Sequence, residues 1–446
     1  MMDFTALGTL KGKIEAKLHG TRLEFLTKWI TAPFFWIFLL VFIFFLFGES
    51  VFYVLQGDTV SYLTSYQDKN IFRGELHAWR TPVYPYILRG LSFLTGEKMV
   101  VGGTLEFPTC SGMFTVRSLI LLQFFAFLGG LWLFYRACGK IMKNSTILFG
   151  TVLLAGIGLM QNTRWISTES LGITFTMIFF SMMVFYLRDP SHKIAIGVNL
   201  LSCFMVFLRP VFLYLVLLLV PFWLLRMALG NSRKSAMTGF CFCLLTFLLL
   251  GGYCKLNEQR NGFFGIASVA THNQMACIIE RGFYKNGASP EINEFIAQLP
   301  NDDSLLHGPM ISEVLKYWSY EEVQQYTQAT IKKNFVSYVI MSLKVMWWGK
   351  WEAMWVQCYA LGFLDLLFTL ALGVIFRQLP WIRLTTWGIF YGLIAVIYMG
   401  TTCDYIRLVT PALPVIYVLA GRYLDLLSVA RSSSPEAFVA YLKTTL

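Results

Sequence analysis

The sequence predicts an all-α polytopic membrane protein, a bundle of about 10 (10–12) transmembrane helices with interfacial helices and one extracytoplasmic loop subdomain. Three observations predict it. Of 446 residues, 56% are hydrophobic and 17% aromatic against only 14% charged, with a mean hydropathy of +0.60, whereas a soluble domain carries about 25% charged residues. Apolar runs of about 20 residues, enough to cross the hydrocarbon layer, recur along the chain. The basic side chains collect in alternate connections between those runs, the pattern that the positive-inside rule produces. A nucleic-acid binder would instead concentrate its net charge of +11 on a hydrophilic domain.

Residues 1–29 form a polar arm with Lys11, Lys13, Lys17, Arg22 and Lys28, expected to be cytoplasmic. The run Ile30–Leu55 is too long for the apolar core of a cleavable signal, so it reads as a retained anchor. It opens an N-terminal membrane module, 30–253, that contains a first outer loop, 56–115. The module's further spans are expected at Val116–Tyr135, Ser145–Met160, Leu171–Leu187, Ile194–Leu208, Val211–Met227 and Met237–Tyr253. The next region, 254–355, holds a hydrophilic stretch of about 80 residues, small for an independent core; it is expected to fold against the bundle as a lid.

Spans at Val356–Phe376, Thr385–Gly400 and Leu408–Leu426 make up the C-terminal group, 356–428. A tail, 429–446, follows, whose Ser432-Ser433-Ser434-Pro435 reads as a disordered end. Tyr84–Leu94 and Phe335–Trp348 are apolar but short, and are expected to lie in the headgroup plane. On this layout about 18 basic and about 6 acidic side chains share one side with both termini, and that side is the cytoplasm. The nine cysteines form no CxxC pair; Cys110, Cys254, Cys277 and Cys403 fall on the other side, where a disulfide can form.

Chemistry-bearing residues gather on that outer side. Gly57-Asp58-Thr59-Val60-Ser61-Tyr62 follows the first span, and Arg80-Thr81-Pro82-Val83-Tyr84-Pro85-Tyr86 comes about two dozen residues later. A carboxylate such as Asp58 so close to lipid is costly unless it faces a polar cavity or a cation, although Asp58 also suits the N-cap of an interfacial helix. Arg80, Arg164, Arg209 and Arg407 stand at span ends against the positive-inside bias. Each fits a phosphate through its donor fork, or anchors its helix at the interface. Glu169 opens a span, where the helix dipole favours a carboxylate in any case. Asp404 and Tyr405 lie beside Arg407, and His272 is in the long outer connection.

The pair of motifs, Gly-Asp-Thr-Val-Ser-Tyr and Arg-Thr-Pro-Val-Tyr-Pro, resembles the first outer loop of the GT-C superfamily of membrane glycosyltransferases. The branch it resembles contains the protein O-mannosyltransferases and the lipid A aminoarabinose transferases. Val83 stands where that branch usually has Gly, and the paired Asp-Glu of the mannosyltransferases is not present.

The resemblance implies an enzyme that moves a sugar, with inversion, from a polyprenyl-phosphate donor to a glycan, lipid or protein acceptor outside the cytoplasmic membrane. It implies Asp58 as general base with Glu169 as a second catalytic acid. Arg80, Arg209, Arg407 and Arg164 would hold the donor phosphate, and Tyr62, Tyr84, Asp404, Tyr405 and His272 would contact substrate. Single outer carboxylates rather than a DxD pair favour arginine over a divalent metal as the phosphate's counter-charge, so no cofactor is expected; the partners are donor, acceptor and membrane lipids, and no nucleic acid. Two other readings stay open: a polymerase or ligase of O-antigen type, and a transporter or lipid flippase.

Overall fold

The computed structural model describes residues 32–47, 59, 61–63, 80–103, 108–229, 232–299, 311, 313–348, 367–368, 370–371, 374–375, 380–400 and 409–445. Among them the protein is helical apart from one short antiparallel ribbon, β1 (Val101–Gly103) paired with β2 (Pro108–Cys110). The long apolar helices are α1 (Pro33–Phe47), α3 (Met113–Cys138), α4 (Ser145–Met160), α5 (Thr168–Arg188), α6 (His192–Leu208), α7 (Leu213–Leu229), α8 (Arg233–Asn261), α13 (Trp381–Gly400) and α14 (Leu413–Ser432). Six of the helices, counting short 3-10 turns at their ends, are long and apolar enough to cross a membrane. α1, α6 and α13 coincide with expected spans but are described over shorter apolar lengths. Of the expected span Val356–Phe376, most residues lie outside the described ones.

Apolar runs become helices here because a backbone in hydrocarbon must satisfy its own hydrogen bonds. Starts are set by side chains: Asn144 accepts from the backbone N–H of Thr146 and Ile147 at the head of α4, and Ser191 accepts from Ile194 at the head of α6. Small residues let the helices close on one another. A Cβ on Gly239 would lie 2.6 Å from the Trp223 indole, so α7 and α8 meet there at backbone distance. Asn199 of α6 locks the same spot, donating to the Gly239 carbonyl at 3.0 Å and accepting from Trp223 Nε1 at 3.4 Å.

Contacts fix the directions. Tyr214 donates to the Ile389 carbonyl while the ring of Phe222 meets Trp381, so α7 and α13 run antiparallel. Gly158 faces Tyr417 and Gly421 faces Thr151, so α4 and α14 do the same. The bundle therefore has two ends. One collects the heads or tails that carry Arg136, Lys143, Arg226, Arg233, Arg383 and Arg422, the basic connections of the sequence. The other collects Arg80, Arg164, Glu169 and Arg209.

The basic end is closed by a helix that the sequence reading misses. Residues 432–435 are not a disordered end: α14 runs to Ser432 and α15 (Pro435–Thr445) turns back against it. Asp425, fully buried, accepts from the backbone N–H of Lys143 at 3.1 Å and Asn144 at 2.8 Å, and from the Tyr441 hydroxyl. The Lys143 ammonium lies 4.7 Å from the centre of the Tyr441 ring.

At the opposite end, α2 (Val83–Thr95) spans about 20 Å at 1.5 Å per residue, too short to cross, and packs Tyr84, Pro85 and Leu88 inward. The long connection is more self-sufficient than its length suggests. α9 (Val269–Glu280), α10 (Pro290–Gln298) and α11 (Tyr320–Lys333) bury Met275, Ile278, Ile292, Ile296, Val323 and Tyr326 in a core of their own. The Ser319–Glu322 capping box starts α11. Arg281 then ties this unit to α12 (Phe335–Trp348), donating to Ser342 at 2.7 Å, and the Tyr338 hydroxyl of α12 donates to the Met399 carbonyl of α13. Cys254 is a free thiol on α8.

Candidate functional site

The stretch that holds Thr59, Tyr62 and Thr81 is clamped onto two helix ends distant in sequence. Thr59 donates to the Ile166 carbonyl at 2.9 Å, the Tyr62 hydroxyl pairs with Thr168 at 2.9 Å, and Thr81 donates to the Leu208 carbonyl at 2.9 Å. Tyr62 and Tyr84 meet edge to face with centroids 5.1 Å apart, a favoured aromatic geometry. These bonds carry the loop to the N-terminus of α5 and the C-terminus of α6, where Glu169 and Arg209 stand.

Arg80 lies across this clamp, half-buried. Its Nε donates to Ser61 at 2.8 Å and its guanidinium stacks 4.6 Å from the centre of the Tyr62 ring, a cation–π contact that orients the planar fork. Arg209, 8% exposed, follows α6 in extended backbone just before Pro210. Its Nη2 lies 3.3 Å from Oε1 of Glu169, which is only 1% exposed. A charge so buried is held only with a partner, and here the partners are 40 residues apart on different helices. Arg209 Nη1, Ser167 Oγ and Ser170 Oγ are buried at the same end with no hydrogen-bond partner among the described residues. Ser167 is the N-cap residue of α5, yet its side chain makes no capping bond.

Arg164 sits differently. It ends the 3-10 turn Gln161–Arg164, donates to the Phe45 carbonyl near the end of α1, and stacks 5.0 Å from the centre of the Phe45 ring. That part of its fork serves to fasten α4 to α1.

Gln123 organises the layer beneath. It accepts from the Tyr84 hydroxyl at 3.2 Å and donates to the carbonyls of Thr163 at 2.8 Å and Trp165 at 3.0 Å. Burial pushes the Tyr84 phenol well above its ordinary pKa, with Tyr62 and Glu169 adding to the effect, so it stays a neutral donor. Sequence reasoning misses Gln123; its signal is a lone amide in an otherwise apolar stretch of α3, where an unsatisfied polar group would be costly.

No family model matches this chain, and no curated protein matches it.

Beside Arg80 and Thr81, an apolar cleft of about 560 Å³ opens between α2, α6 and α8, lined by Pro82, Val83, Tyr86, Phe204, Phe207 and Tyr253. It runs from the level of the cations into the apolar flank of the bundle. Four expected site residues, Asp58, Asp404, Tyr405 and Arg407, lie outside the described residues. His272 Nδ1 lies 3.5 Å from the Tyr320 hydroxyl and 3.4 Å from the Ser268 carbonyl. Burial lowers its pKa, and the bond to Ser268 partly offsets that. Among the described residues, no three His, Cys, Asp or Glu side chains come together as metal ligands would.

Proposed function

We propose that this protein is a GT-C-type membrane glycosyltransferase that takes a sugar from a polyprenyl-phosphate donor and passes it to a glycan, lipid or protein acceptor. The observation that carries this reading is the pairing of polar and apolar features at one end of the bundle. Arg80, Tyr62, Glu169 and Arg209 gather there at the helix termini, directly beside the apolar cleft that begins at Pro82. A lipid-linked phosphate needs both at once, a cation at the depth where helices end and an apolar flank for its chain. The basic connections at the opposite end favour an orientation with that end, and both termini, in the cytoplasm; about ten spans and an extracytoplasmic site in the cytoplasmic membrane follow.

In the reaction, Asp58 takes the proton from the acceptor hydroxyl as its oxygen forms a bond to the anomeric carbon from the face opposite the phosphate. The bond from that carbon to the phosphate oxygen breaks, its electron pair stays on the phosphate, and Arg80 with Arg407 neutralises the charge. Inversion at the anomeric carbon follows from the single displacement.

The test incubates purified protein with radiolabelled polyprenyl-phosphate sugars and a membrane extract. Label reaching acceptor with wild type but not with Asp58→Asn supports the transferase. Counterflow of donor across vesicles without transfer would replace it with a carrier, for which a buried Glu–Arg pair is also suited. Orientation is tested by cysteine labelling in whole cells: Lys285→Cys should react with an impermeant reagent and Lys234→Cys should not. Gly287 is unsuitable for this, since a Cβ there would lie 2.2 Å from Asn293 Oδ1.

A further inference from the structure

The sequence groups Arg209 with the phosphate-binding arginines, but its surroundings set it apart. One nitrogen is committed to Glu169 at 3.3 Å, and the side chain is only 10% exposed. An incoming phosphate would meet the Glu169 carboxylate as closely as it meets the guanidinium. Like charges at that range repel strongly in a desolvated setting. Yet the pair is not closed off. Arg209 Nη1 is a buried donor without a partner, and the hydroxyls of Ser167 and Ser170, on either side of Glu169 in the first turn of α5, are buried without partners too. Buried polar atoms of this kind cost stability unless a ligand or water meets them.

We propose that Glu169, Arg209, Ser167 and Ser170 form a subsite for the neutral vicinal hydroxyls of a sugar ring, separate from the phosphate-holding function of Arg80. The complementarity is specific. A hydroxyl donates to the Glu169 carboxylate while its neighbour on the ring accepts from Arg209 Nη1, and the serine hydroxyls can donate or accept to suit the remaining positions. A carboxylate beside the donor disfavours an anion and accepts from a hydroxyl, so the donor–acceptor pair suits a diol. Glu169 is then a sugar-binding residue rather than a second catalytic acid. The inference rests on the transferase reading for its choice of ligand, and the experiment below separates the two.

Full-length protein in detergent is titrated with two lipids, bare decaprenyl phosphate and decaprenyl-phosphate hexose, and separately with methyl hexopyranosides, for wild type, Glu169→Gln, Arg209→Lys and Arg80→Gln. Melting curves of each variant identify any that fails to fold. Arg80→Gln is expected to weaken both lipids alike. Glu169→Gln and Arg209→Lys should hold bare decaprenyl phosphate within about twofold of wild type, weaken the sugar-bearing lipid about tenfold, and abolish the thermal shift given by the glycosides. Equal losses for both lipids in Glu169→Gln and Arg209→Lys would return Arg209 to the phosphate and overturn the subsite. Glycoside shifts that vanish in those two variants, with no lipid bound by any protein, would leave the subsite standing while the transferase reading falls. Absence of any glycoside shift in wild type, with both lipids bound equally by all folded variants, overturns the subsite.

Discussion

Each end of the bundle buries a carboxylate near a helix start, and the two are satisfied in opposite ways. Asp425 is surrounded by donors that belong to the fold itself: two backbone N–H groups at the head of α4 and the Tyr441 hydroxyl. Glu169 faces a guanidinium whose second nitrogen has no partner, between two serines whose hydroxyls have none. The first arrangement spends all its hydrogen-bonding capacity on holding helices together. The second leaves capacity over. A buried acid is therefore not a functional signal by itself; the unmet capacity around it is.

The sharpest way to break this contrast is to neutralise Asp58 and Asp425 in turn and read activity and stability separately. Asp58→Asn should cut transfer of radiolabelled sugar by about 10²–10⁴-fold, the range for loss of a general base, with the unfolding midpoint unchanged. Asp425→Ala should do the reverse. It strands two backbone donors and a phenol in the interior, a loss of about 3 kcal/mol in chemical unfolding, while transfer per folded molecule is retained. Swapped outcomes would dissolve the distinction between the ends.

Two smaller substitutions sharpen it. Arg80→Lys keeps the charge but loses the fork and the flat stacking on Tyr62, so donor affinity should fall about tenfold in direct binding. Tyr441→Phe removes one of the three donors to Asp425 and should cost about 1 kcal/mol, with transfer unaffected.

The smallest effect is expected in the long connection between α8 and α12. Because the folded pKa of His272 is lowered, the unfolded chain binds the proton more readily. Stability of this unit should therefore fall as pH drops through the ordinary histidine range near 6.5, and be fully present above it. Hydrogen exchange of α9 at pH 7 and pH 5 reads this, and His272→Gln should flatten the difference.

Much of the fold is legible in the sequence because lipid imposes a simple rule of length and apolarity, and charge parity sorts the ends. Arg209 and Glu169 could be flagged for the same reason, as ionised groups where the rule disfavours them. Their pairing could not, since it depends on how α5 and α6 pack. Gln123 escapes notice because one amide in an apolar run looks like tolerated noise until the carbonyls of Thr163 and Trp165 are seen beside it. The C-terminal helix is legible as well: Ser432-Ser433-Ser434-Pro435 looks like a disordered end, yet serine followed by proline and an acid is a helix start, and Ala437 N–H does donate to Ser434 Oγ. Asp425 drew no attention because its donors, at 143 and 144, are backbone groups nearly 300 residues away.

The clamp through Thr59, Tyr62 and Thr81 also sets a timetable. Thr59, Tyr62 and Thr81 find their partners 107, 106 and 127 residues further along the chain. At a synthesis rate of about 5–20 residues per second, that is a wait of roughly 5–25 seconds. Until the fifth and sixth helices emerge from the ribosome and enter the bilayer, Thr59, Tyr62 and Thr81 lack these partners, so a stalled nascent chain ending before Leu208 would carry an unassembled pocket that proteases can enter.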